Sequence, residues 1–327
     1  MIIVTGGAGF IGSALVYGLN RKGIKDIWVV DQADHFEKQE NLKSLTFERL
    51  MGQNEFLKAV LDRKLPDCDA ILHMGACSST TETNKAFLRE NNSEYTRHLA
   101  SLCLEKGVRF IYASSAATYG AGENGYSDDE SGLKDLKPLN PYGDSKHWFD
   151  LWAQDQGVLQ DIVGLKYFNV YGPNEYHKQE MQSMVRKGFI QVRDEGKLRL
   201  FKSYKPEYSD GEQERDFLYV KDAVAMTLFF LERKNIGGIF NVGSGKARNW
   251  NDLGKVIFSA MNKNPNIEYI DMPAEIQNQY QYHTCSETEK IRNAGYTEPI
   301  TSLEKGVAEY VRDYLIPGKH LGTTISH

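Results

Sequence analysis

The chain has 327 residues, more than one hydrophobic core usually holds, so one large or two interleaved domains are expected. Apolar residues at 41% and charged residues at 25% are ordinary for a globular protein, and a net charge of −5 argues against general nucleic-acid binding. No apolar run is long enough to span a bilayer, and no charged leader precedes Ile2-Ile3-Val4. Cys68, Cys77, Cys103 and Cys285 lack the paired spacing of a zinc or redox site, so buried free thiols in a reducing cytoplasm, with no metal, are expected.

In chain order, β-rich apolar runs fall at Ile2–Thr5, Ile27–Asp31, Ala70–Met74, Phe110–Ser114 and Ile162–Phe168. Helical patterns lie between them at Ile11–Lys22, Lys85–Lys106 and Tyr142–Asp155. Near-continuous apolar strands alternating with helices predict an α/β fold, a doubly wound parallel sheet of Rossmann type. The second half is less regular: strands are expected at Lys197–Phe201, Phe217–Val220 and Ile239–Val242, and an amphipathic closing helix at Thr301–Leu315. Lys202–Glu214 is polar, aperiodic and contains Gly and Pro, which marks a surface loop. The expected division is a dinucleotide-binding domain over 1–170, completed by about 215–245. A smaller α/β substrate-binding domain then takes 171–214 and 246–316. The tail 317–327 has little apolar patterning and is expected to fray or to serve an oligomer contact.

Thr5-Gly6-Gly7-Ala8-Gly9-Phe10-Ile11-Gly12 follows the first strand and opens the first helix. Glycines let a pyrophosphate approach the backbone, and the helix N-terminus supplies N–H donors and a favourable dipole. Asp31 ends the second strand, where an acid hydrogen-bonds an adenosine ribose and favours NAD, whereas Lys38 nearby suits the 2′-phosphate of NADP. His73 reads as a packed or capping residue rather than a ligand. Ser114 and Ser115 end a strand, where a hydroxyl serves either to cap a turn or to bond a substrate oxygen whose charge changes in reaction.

Tyr142 and Lys146 stand four apart on a helix and share a face. A lysine ammonium beside a phenol lowers the pKa of the phenol, making it a proton acceptor near neutral pH. The spacing recurs by chance in solvated helices; the glycine loop and the serine-rich strand end give it meaning here.

Together these elements resemble the extended short-chain dehydrogenase/reductase family. Further matches are Tyr167–Pro173 and Arg215–Asp222, and the resemblance spans roughly Met1 to Leu315. Members mostly rework nucleotide sugars. Gly75–Glu82, Ala113–Gly120, Phe168–Pro173 with His177-Lys178, Gly238–Gly245 and Tyr280-Gln281 look like a narrower group within it. That group inverts C6″ of an ADP-linked heptose with tightly bound NADP, for lipopolysaccharide core synthesis, and is associated with pentamers. The resemblance implies that Tyr142 and Lys178 are acid/bases, that Lys146 partners Tyr142 and touches the cofactor ribose, and that Ser115 orients the sugar. It implies cofactor contacts from Gly6, Gly9, Phe10, Ile11, Gly12, Asp31, Gln32, Lys38, Met74, Gly75, Ala76, Cys77, Ser78, Asn91, Lys146 and Val170. Substrate contacts are implied for Ser115, Asn169, Lys187, Phe201, Arg215 and Tyr280, and a homo-oligomer is implied without membrane or nucleic-acid partners. Gln53 stands where the family tends to offer lysine, and 202–214 is longer than usual. The alternative is a UDP-sugar 4-epimerase or a 4,6-dehydratase; the run Ser114–Thr118 lacks the Thr-Asp-Glu of dehydratases.

Overall fold

The computed structural model describes residues 1–32, 36–277 and 280–324. Strands β1 (Ile2–Thr5), β2 (Ile27–Asp31), β3 (Arg49–Gly52), β4 (Ala70–His73), β5 (Arg109–Ser115) and β6 (Val163–Tyr167) belong to one sheet. Beyond β7 (Asn169–Tyr171), β8 (Leu198–Phe201) and β9 (Glu214–Tyr219), strand β10 (Gly238–Val242) completes it. Its order is β10-β6-β5-β4-β1-β2-β3, and every pairing is parallel. The chain therefore winds outward from β1 in both directions, as in a Rossmann fold, with a switch point between β1 and β4.

Alternation along each strand feeds two cores. Val4, Val29, Leu72, Ile111 and Leu165 pack on one face with α1 (Phe10–Arg21). Ile3, Val30, Ile71, Phe110 and Tyr112 pack on the other. The helices met by then along the chain are α2 (Phe36–Leu42), α3 (Gln53–Leu61), α4 (Lys85–Leu88), α5 (Tyr95–Lys106) and α6 (Pro141–Asp155), of which α3, α5 and α6 contribute to the second core. A π-helical turn, Arg89–Glu94, joins α4 to α5, so the helical run read over Lys85–Lys106 is continuous but locally underwound.

Smaller sheets lie outside the main one. Strand β9 pairs antiparallel with β11 (Ala247–Asn249) and parallel with β7, while β12 (Ile267–Ile270) pairs with β8. Val220 starts a helix, Val220–Glu232, rather than ending a strand as read from sequence. The closing helix begins at Leu303, where the Ser302 hydroxyl accepts from the Lys305 N–H at 3.3 Å, and it passes into a π-turn over Tyr310–Leu315. The loop after β8 is pinned by Gln213, which is fully buried and donates to the Lys202 carbonyl at 3.2 Å.

The start of the tail is docked rather than frayed. Leu321 is 1% exposed, its N–H donates to Asn174 Oδ1 at 2.9 Å, and the Lys319 carbonyl accepts from the Tyr176 hydroxyl at 2.7 Å. One apolar anchor and two backbone bonds suffice to dock this segment on its own chain, a pattern too sparse for periodicity to reveal. Residues 325–327 of that tail lie outside the described residues. Among the described residues no helix is long and apolar enough to cross a membrane. All four cysteines are free; Cys68 and Cys103 are buried, whereas Cys77 and Cys285 are only half-buried, because they lie in loops that border the site.

Candidate active site

The glycine loop leaves the C-terminal end of β1. Gly6 has φ +64 and donates to the Val30 carbonyl at 2.7 Å, and a Cβ there would lie 2.7 Å from the Gly75 nitrogen. A Cβ at Gly12 would lie 2.0 Å from the Gly6 carbonyl oxygen. The backbone thus forms a cradle that side chains would fill, at the N-terminus of α1, which suits a dinucleotide pyrophosphate. Gly9 precedes α1, Phe10 and Ile11 begin it, and Gly75 donates to the Thr5 hydroxyl at 3.1 Å.

Asp31 sits beside this cradle with both oxygens engaged. Ala8 N–H donates to Oδ2 at 2.9 Å, and Lys38 Nζ donates to Oδ1 at 2.9 Å. Gln32 next to it is exposed. Met74, Gly75, Ala76 and Cys77 are half-buried and Ser78 is exposed. Asn92 holds this stretch in place: its Oδ1 accepts from Cys77 N–H at 2.8 Å, and its Nδ2 donates to the Cys77 carbonyl and to Ser145 Oγ, both at 2.9 Å. Asn91, in the same π-turn, bonds Asn92 at 3.0 Å and accepts from Gln53 at 3.1 Å, so Gln53 reaches the site from α3. Asn92 was not singled out from sequence; a polar residue inside an otherwise helical pattern was the available signal.

Helix α6 brings Tyr142 and Lys146 to the end of β5. Asn140 caps the helix, accepting from Gly143 N–H at 2.8 Å, with Pro141 in its first turn. The Tyr142 phenol contacts the Ser115 hydroxyl. Lys146 is buried and donates to the Ala113 carbonyl at 2.8 Å. Burial raises the Tyr142 phenol above its ordinary value, opposed by the Ser115 hydrogen bond. The lowering expected from Lys146 is thus not what the chain produces, since that ammonium is turned to a carbonyl of β5. Burial brings Lys146 itself down to about 8, with Asp150 opposing.

Lys178 arrives from a separate turn. Its Nζ lies 5.3 Å from the centroid of the Phe10 ring, and burial lowers its pKa, opposed by Glu175. This turn is fixed from three sides. Asn41 of α2 donates to the carbonyls of Ala8 and Asn174, both at 3.0 Å. Asn174 is fully buried at φ +77; its Nδ2 donates to Ser13 Oγ of α1 at 3.0 Å while its Oδ1 holds Leu321 of the tail. Thr80 donates to Met181 Sδ at 3.8 Å, which joins the Cys77–Glu82 block to the same turn.

Phe201, Arg215 and Tyr280 form a third group. The Arg215 guanidinium stacks between Tyr280 at 5.0 Å and Trp250 at 5.5 Å, and the Tyr280 ring meets Phe201 edge-on at 6.4 Å. Arg215 is buried and donates to the Glu214 carbonyl at 2.7 Å; among the described residues no carboxylate pairs with it. Asn169 is exposed and accepts from Thr284 at 3.4 Å, Val170 beside it is half-buried, and Lys187 is occupied by the Glu180 carbonyl at 2.5 Å. Trp250 was missed from sequence, because an isolated tryptophan at a helix start carries no motif.

His73 is packed, as read: its Nδ1 meets the Thr5 hydroxyl at 2.6 Å and its Nε2 the Thr96 hydroxyl at 3.0 Å. Burial, aided by the charge of Lys146, depresses it to about 3 from an ordinary 6.5. The unfolded chain therefore takes up this proton first, so stability present above pH 6.5 is lost as pH falls toward the folded value. His73→Gln is expected to flatten the acid side of a denaturant-midpoint profile; an unchanged slope would show that His73 does not contribute.

A parallel sheet with its glycine cradle at the switch point, and a Tyr/Lys/Ser group beside it, define a nicotinamide-dependent enzyme of the short-chain type. The chain belongs to the NAD dependent epimerase/dehydratase family, whose model matches residues 2–243. It is 53% identical over 316 residues to a Nitratidesulfovibrio vulgaris protein named ADP-L-glycero-D-manno-heptose-6-epimerase, covering 96% of this chain and 98% of that one. The solved Helicobacter pylori ADP-L-glycero-D-manno-heptose-6-epimerase is similar with a TM-score of 0.78 at 28% identity, covering 95% and 94% of the two chains. Bacillus cereus UDP-glucuronic acid 4-epimerase, solved with UDP-glucuronic acid and NAD, gives a TM-score of 0.76 at 25% identity, covering 95% and 98%.

Proposed function

We propose that this chain epimerises C6″ of ADP-D-glycero-D-manno-heptose to ADP-L-glycero-D-manno-heptose, in the cytoplasm, as a step toward the lipopolysaccharide core. The observation that carries this is the 53% identity, over nearly the whole chain, to an enzyme of that name. The geometry suits it, because Tyr142 and Lys178 come from different elements to the neighbourhood of one cofactor cradle. In our reading the dinucleotide-binding part is 1–170 with about 215–245, and 171–214 with 246–316 holds the sugar nucleotide.

Inverting a secondary alcohol without an acidic C–H requires transient oxidation to a ketone. Bound nicotinamide supplies the hydride acceptance and return. Tyr142, steadied by Ser115, exchanges the hydroxyl proton on one face and Lys178 on the other once the ketone has turned, while Lys146, one turn along from Tyr142, holds the cofactor ribose. Arg215, free of carboxylate partners among the described residues, receives the diphosphate. Phe201 and Tyr280 flank the nucleotide, and Asn169 and Lys187 contact the sugar end. We assign NADP as the resident cofactor, with NAD the alternative. Lys38 already offsets the Asp31 carboxylate, so a 2′-phosphate there meets a cation rather than a bare acid. A homo-oligomer, a pentamer by resemblance, completes the proposal.

Purified protein incubated with ADP-D-glycero-D-manno-heptose and no added cofactor should yield the L-glycero epimer by NMR. Conversion of a UDP-hexose instead would transfer the assignment to a 4-epimerase. The mass of the dinucleotide released on denaturation decides between NADP and NAD.

A further inference from the structure

Successive residues of β5 meet successive turns of α6. The Ser115 hydroxyl contacts Tyr142, the Ala113 carbonyl accepts from Lys146 at 2.8 Å, and Asp150 accepts from Ser114 at 2.6 Å and from the Tyr112 hydroxyl at 2.9 Å. Positions 142, 146 and 150 recur at a spacing of four, one stripe along the helix. The first two rungs belong to the site already described. The third is a fully buried carboxylate held by two neutral donors.

Two basic nitrogens lie close to it without hydrogen-bond partners among the described residues. Lys166 Nζ, from the residue of β6 paired with Ser114, stands 4.2 Å over the Tyr119 ring, and His147 Nδ1 is likewise unbonded. Asp150 acts on both through space. Buried charge of this kind is costly, and an apolar residue would dock a helix on a strand at least as stably. What an apolar residue cannot do is set a polar register between the two elements or place a negative charge one turn from Lys146.

We propose that Asp150 is a positioning residue for the reaction: it fixes the depth of α6 on β5, and so the Tyr142–Ser115 contact, while its charge faces Lys146. This rests on the epimerase reading above. The groups that act on Lys146 are Asp150 of its own helix, His73 of β4, Cys77 from the following loop, and the Ala113 carbonyl of β5. Asp150 is the leading influence that opposes the effect of burial on the ammonium. Removing its charge moves Lys146 toward loss of its proton at lower pH.

The test uses the full chain with its retained nucleotide, and follows kcat and KM for the ADP-heptose from neutral to alkaline pH. Asp150→Asn preserves volume; it should lower kcat about 10-fold or more with little change in KM. Its alkaline limb should shift to lower pH, and Asp150→Glu should restore the limb. A merely structural role would lower the melting temperature and leave the limb where it was. Parent-like kcat with a superimposable limb in Asp150→Asn overturns the inference alone. An unsubstituted chain inert toward ADP-heptoses overturns the function and this inference with it. Should Asp150→Asn not fold, Tyr112→Phe combined with Ser114→Ala removes both donors but keeps the charge. Lowered kcat with an unmoved limb then supports the positioning role, and parent-like kcat overturns it.

Discussion

Tyr142→Phe should abolish most turnover, by about 10²- to 10⁴-fold, while the protein still carries its nucleotide. The substitution removes one oxygen. It leaves the ring on α6, Lys146 on the Ala113 carbonyl, and the glycine cradle untouched. The melting temperature should stay close to that of the parent, because only a hydroxyl beside Ser115 is lost and the ring keeps its place. Single-turnover measurement separates this from a binding defect: KM for the ADP-heptose should move little, whereas the chemical step collapses. Near-normal turnover in Tyr142→Phe would remove the phenol from the mechanism.

Lys178→Met should also lose about 10²-fold or more in kcat. Methionine keeps an unbranched apolar stem over the Phe10 ring, so packing at the head of α1 survives and only the ammonium is lost. Nucleotide retained at parent level, with epimerisation lost, is the pattern that a second proton-handling group requires. Loss of nucleotide together with activity would instead make Lys178 a phosphate or cofactor contact. Normal epimerisation would refute the two-base scheme.

Much of the frame is readable from the chain because hydrogen-bonded strands buried on both faces must be apolar throughout. That is why Ile27–Asp31 and the strand beginning at Ala70 stand out, and why β3, with Arg49, Leu50 and Gly52 exposed at the sheet edge, does not. Tyr142 with Lys146, and the glycines of the first loop, lie in contiguous motifs, so their proximity needs no tertiary knowledge. The stacking of Trp250 and Tyr280 on Arg215 joins residues 30 or more positions apart and leaves no local periodic trace. Asp150 lies between these extremes. Its spacing from Lys146 was visible, but only its burial against Ser114 and Tyr112 shows that it faces the strand rather than water.

Asn174, buried in a left-handed conformation, ties the Lys178 turn at once to α1, α2 and the C-terminal segment. Tyr142 likewise sits in the first turn of a capped helix. On the two-base proposal, with both groups tied in this way, the pivoting needed to expose the second face of the carbonyl falls to the sugar's own side arm. Backbone amides of 174–181 should exchange hydrogen as slowly during turnover as at rest; faster exchange once substrate is present would mean that the protein moves instead.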